Sequence, residues 1–79
     1  MANHYFKEND SYFKFVDETH EVVCVTTNFT NKCIAISFID GVGYENIKSV
    51  YTDDAGDVIS EELFETKRNE VKDYINENL

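Results

Sequence analysis

Apolar positions recur every second residue through the first half of the chain and at helical spacing near its end, which predicts a sheet followed by a helix. Along residues 11–17, Phe13 and Phe15 fall on one side, and Tyr12, Lys14 and Val16 on the other. The triplet Tyr5-Phe6-Lys7 returns as Tyr12-Phe13-Lys14. Two copies of three residues do not make a repeat, and the simpler expectation is two short aromatic strands around the turn-forming Asn9-Asp10. After a turn at 17–20, residues 21–27 are rich in β-branched side chains (Val22, Val23, Val25, Thr26, Thr27), which suit a pleated surface. Residues 28–32 read as a loop. Residues 33–39 alternate again, Ile34, Ile36 and Phe38 against Cys33, Ala35, Ser37 and Ile39. Both sides of this strand are apolar, the pattern of a strand in the middle of a sheet.

Asp40-Gly41-Val42-Gly43 has the residues of a tight turn. The stretch 44–52 is ambiguous: Tyr44, Ile47 and Tyr51 have helical spacing, whereas Val50-Tyr51-Thr52 favours a short strand at 47–52, the reading preferred here. The end of the chain is clearer. Ser60 is a good N-cap, with Glu61 and Glu62 in the first turn where the helix dipole favours acids. Ile59 and Phe64 are placed for a hydrophobic staple. Phe64, Val71 and Ile75 form an apolar stripe, flanked by Leu63 and Tyr74 on one side and Leu79 on the other, with Lys67 and Arg68 at its border. The expectation is an α+β fold, a single domain over 1–79. It has a small antiparallel sheet of about four strands within 4–52, arranged as a meander and packed by one C-terminal α-helix over about 60–78.

Charge adds the most unusual feature. The 79 residues carry 16 acids against seven bases, a net of −9. Six carboxylates, Asp53, Asp54, Asp57, Glu61, Glu62 and Glu65, follow one another with no base between them. Such a surface repels nucleic acid and anionic membrane and attracts basic surfaces. No apolar run has transmembrane length, and the polar start of the chain does not resemble a signal peptide, so the cytoplasm is the expected compartment. Asn, Lys, Ile, Tyr and Phe are abundant, while Pro and Trp are absent. That bias towards AT-rich codons suggests a bacterium, phage or mobile element.

Candidate chemistry is sparse. His4, His20, Cys24 and Cys33 are the only soft metal ligands. His20 and Cys24 on one strand would stand about 13 Å apart, too far for one zinc ion. A disulfide between Cys24 and Cys33 would require Asn28-Phe29 as a two-residue turn, and Phe suits that position poorly. The run from Asp53 to Asp57 fails as an EF-hand loop, because position 6 is Val58 and position 12 is Phe64. No nucleophile has a His partner in a motif, and Gly41 and Gly43 belong to no phosphate loop. With seven bases there is no stripe to neutralise phosphates, which disfavours direct nucleic-acid binding despite 14% aromatic residues. The reading is therefore a protein that is not an enzyme and needs no cofactor or metal. Its partner would be a protein with a basic surface, such as a nucleic-acid-handling protein that it inhibits by mimicking nucleic acid. The acidic run would make the contact, with Tyr5, Tyr12 and Tyr51 as candidate aromatic contacts. The alternative is a small homo-oligomeric assembly protein joined through aromatic strand edges, around Tyr5 and Phe6 or around Val50-Tyr51.

Overall fold

A computed structural model describes residues 2–79, with the side chains of residues 54 and 55 set aside. Four strands, β1 (Asn3–Glu8), β2 (Ser11–Val16), β3 (Glu21–Asn28) and β4 (Asn31–Phe38), form an antiparallel meander. A fifth, two-residue strand, β5 (Asp57–Val58), pairs with the free side of β1, so the sheet order is β4-β3-β2-β1-β5. The α+β class and the C-terminal helix α2 (Glu61–Glu77) agree with the sequence. Asn9, with a φ of 53°, makes the turn between β1 and β2, a left-handed conformation that Asn tolerates better than most residues.

Three expectations are overturned. First, residues 41–52 contain no strand. Asp40 caps a helix, α1 (Gly41–Val50), its carboxylate accepting the Gly43 N–H at 3.0 Å, and a π-helical turn continues it over Tyr51–Ala55. The N-cap prevails because the helical spacing of Tyr44 and Tyr51 lets both rings reach the sheet. Second, β4 is an edge strand and not a central one. Third, β3 and β4 join through Phe29-Thr30, since Asn28 faces Asn31. Cys24 then opposes Ala35 and Cys33 opposes Thr26, and both thiols are free.

The chain wraps both faces of its sheet. From the β4 edge, α1 crosses one face to the β1 side, where Tyr51 stacks 4.6 Å from Phe13. After β5, α2 returns over the other face, and at its far end the Lys32 ammonium of β4 sits over the Tyr74 ring. Two separate cores result. Under α2 lie Tyr12, Val23, Val25, Phe64 and Val71, with Ile59 and Ile75 packed against them as the stripe and staple require. Leu79, expected to widen that stripe, is 97% exposed because the helix ends before it. Under α1 lie Phe6, Phe15, Val22 and Tyr44, with Phe13, Ile39 and Tyr51 around them. Gly56 allows the chain to leave the π turn, since a Cβ there would stand 3.0 Å from the Tyr51 ring and 3.4 Å from the Phe6 Cβ. Among the described residues, no helix is long and apolar enough to cross a membrane.

Candidate acidic interaction surface

The acidic run follows the outer edge of β1. Asp53 lies exposed on the π turn, and Asp57 is exposed on β5, where it is in register with Lys7. Ile59 donates its N–H to the Tyr5 carbonyl at 3.1 Å, which brings the start of α2 against β1. Glu61 and Glu62 are exposed in the first turn of that helix, where they also favour its dipole. Ser60 caps the turn, its hydroxyl accepting the Leu63 N–H at 3.0 Å. Carboxylates from three successive elements are thus presented along one side of the sheet. The Asp54 side chain lies outside the described residues. Glu65 differs from the others: it is half-buried and paired with Arg68, one turn on, so its charge is already partly spent.

The three tyrosines have different fates. Tyr5 is half-buried against Phe64, and its hydroxyl donates to Glu61 at 2.9 Å. Burial raises the Tyr5 pKa above the ordinary phenol value, with the Glu61 and Glu65 carboxylates adding to the effect against a hydrogen bond with Asn3. Tyr12 is only 7% exposed and belongs to the core under α2, so its ring is withheld from any partner. Tyr51 packs its ring on Phe6, Phe13 and Phe15 and donates to Glu8 at 3.3 Å. Beside Tyr5 an open cleft of about 250 Å³ runs between β1 and the segment carrying Thr52, Val58 and Ile59. Its position next to the carboxylates gives the acidic edge a concave, partly apolar neighbour.

A second polar cluster has no counterpart in the sequence reading. The Asp17 carboxylate, just after β2, accepts from the Tyr44 hydroxyl at 2.7 Å and from the Lys48 ammonium at 3.1 Å, and lies 2.9 Å from the His4 ring nitrogen. Burial works against its charge, but these three partners outweigh burial and hold the carboxyl well below the usual range. Burial and the same carboxylate push the Tyr44 phenol far above its ordinary value, so it stays a donor. Burial lowers the Lys48 pKa, and the hydrogen bonds to Asp17 and Glu45 more than reverse this. The group ties α1 to the ends of β1 and β2. The one signal for it was the i, i+4 spacing of Tyr44 and Lys48, which has meaning only once 41–50 is a helix.

Among the described residues, no three His, Cys, Asp or Glu side chains gather as a metal site requires. Comparison with family models, with curated proteins and with solved structures finds no match to this chain.

Proposed function

We propose that this chain is an acidic protein-binding module, without enzymatic activity, that uses the β1–β5 edge and the start of α2 to occupy a basic surface of its partner. The sharper form of the reading is an inhibitor from a phage or mobile element. It would act in the cytoplasm of a bacterium or infected cell and take the place of nucleic acid on a nucleic-acid-handling protein. The observation that carries it is the exposure of Asp53, Asp57, Glu61 and Glu62 along one edge, beside an open cleft. Charges so placed steer a basic partner and make association dependent on salt. The counter-argument is that acids at a helix start stabilise the helix in any case, and that a charged outer face keeps a small domain soluble.

The test is affinity capture from cell lysate at low and high salt. Beside it runs a variant in which Asp53, Asp54, Asp57, Glu61, Glu62 and Glu65 become their amides, with its fold checked by circular dichroism. The reading expects capture of a basic nucleic-acid-handling protein, released by salt and by competing DNA and lost in the variant. Capture that survives the six substitutions would overturn it.

A further inference from the structure

The edge opposite the acidic run has the reverse character. Between Glu21 and Asp40 the sequence contains no carboxylate, and Lys32 is its one charge, although the chain as a whole carries −9. This segment is the β3–β4 hairpin, and β4 is its open side. Natural edge strands are kept short, charged, bulged or covered, because unpaired backbone groups invite another strand. β5 follows that rule with two residues and an acid. β4 does not: it has eight residues, with Ile36 59% and Phe38 71% exposed. Its apolar pattern on both faces is that of a central strand, and in the monomer it is not used as one.

The Ile39 N–H donates to the His20 carbonyl at 3.1 Å, which fixes the alternation of the ladder. Residues 33, 35 and 37 therefore turn their backbone groups towards β3, and Lys32, Ile34, Ile36 and Phe38 turn theirs outwards. We infer that β4 pairs antiparallel with β4 of a second copy, about a two-fold axis at Ala35, joining two five-stranded sheets into one of ten strands. This goes beyond the acidic-edge reading and stands independently of it.

Three observations favour a second copy over a foreign strand. In the register centred on Ala35, Ile34 faces Ile36 and Lys32 faces Phe38 of the other chain, so all four outward residues of each strand find partners. The intervening pairs, where side chains approach most closely, are Ala35 with Ala35 and Cys33 with Ser37, all small. Finally, the strand that makes the contact carries no carboxylate of its own from Asn31 to Phe38. The sheet order places β5 four strand spacings from β4, about 19 Å, so each acidic edge lies well beyond the Debye length of about 8 Å from the axis. Two copies of a strongly acidic chain can pair there with their long carboxylate runs at opposite ends of the joined sheet, and both acidic edges remain free.

Sedimentation of the intact chain across a concentration series tests the pairing, which expects the mass to double and then stop. Ile36→Lys, at an exposed position that leaves the fold intact, should raise the dissociation constant about tenfold or more. Ser37→Cys tests the register: under mild oxidation it should cross-link two chains through Cys33, and reducing agent should release them. A chain that stays monomeric up to about 0.5 mM, a concentration that would populate even a weak complex, overturns the inference. So do growth beyond the dimer, a dimer indifferent to Ile36→Lys, or failure of Ser37→Cys to cross-link. The six-amide variant should still dimerise, which separates this result from the fate of the acidic surface.

Discussion

The two faces of the sheet are held by different chemistry. Under α2 the contact is largely aliphatic, with Val23, Val25, Val71, Ile34 and Ile75 set around the rings of Phe64 and Tyr12. Under α1 it is aromatic: Phe15 meets Phe6 edge-on at 5.6 Å and lies 5.8 Å from Tyr44, with Tyr51 closing the far end. The aromatic face also has a charged rim, the Asp17 cluster, which ties α1 to two strands, whereas on the α2 face Tyr5 donates to Glu61 and the Glu65–Arg68 pair lies within the helix itself. A long helix with a regular stripe can hold a face by area alone. α1, ten residues long with two glycines in its first turn, needs directional bonds to fix its orientation. The expected consequence is that the two faces respond differently to mutation and to acid.

The largest effect expected is from truncating either core. Phe64→Ala should cost about 3–5 kcal/mol, and Phe15→Ala a similar amount, because each is fully buried. Chemical denaturation will show whether the two faces contribute equally. A total stability of about 4–12 kcal/mol for this length leaves either variant close to unfolding. Next comes Gly56→Ala, which should cost about 1–3 kcal/mol by forcing the Tyr51 ring off Phe6. A compensating Tyr51→Leu should recover part of that loss if the close approach is the cause.

Asp17→Asn should destabilise by about 1–3 kcal/mol through weakened bonds to Tyr44 and Lys48. It also gives the sharpest test of asymmetry, through pH. The Asp17 carboxyl is depressed in the folded state, so its stabilisation is complete above the unfolded carboxyl value, about pH 4. It is lost as the pH falls below that value towards the folded one. Wild-type stability should therefore fall in acid more steeply than that of Asp17→Asn, with α1 amides losing hydrogen-exchange protection before α2 amides. Parallel loss in both helices would refute a rim-held α1. The smallest effects expected are at the caps: Asp40→Ala and Ser60→Ala should each cost about 1 kcal/mol, confined to α1 and α2 respectively.

The elements legible in the sequence were those whose signals are local and repeated. β2 carries period-two alternation, β3 a run of β-branched residues, and α2 a cap, a staple and a stripe that agree with one another. α1 is not legible locally, because Asp40-Gly41-Val42-Gly43 satisfies a turn and an N-cap equally well. The decision came from Tyr44 and Tyr51, whose rings complete a core formed by Phe6, Phe13 and Phe15 from two strands. The apolar residues on both faces of β4 favour a central position, since such a strand is normally covered on both. What the pattern does not encode is the order of the strands, which places β4 at the edge.

The candidate site divides in the same way. That six carboxylates follow one another is a property of the sequence, and so is the net charge. That Asp53, Asp57, Glu61 and Glu62 lie exposed along the β1 edge depends on Phe6 pairing with Val58, a contact between residues far apart in the chain. Burial of Tyr12 and the pairing of Glu65 with Arg68 likewise follow from where α2 settles on the sheet. The sequence by itself determined composition, the class of fold, the strands with clean alternation and the extent of the last helix, because each is set by neighbours within a few residues. Only the tertiary structure decided the sheet order, the second helix and core, the Asp17 cluster and the contrast between an acidic and an acid-free edge. These depend on which distant segments bury each other, and the chain settles that by packing as a whole.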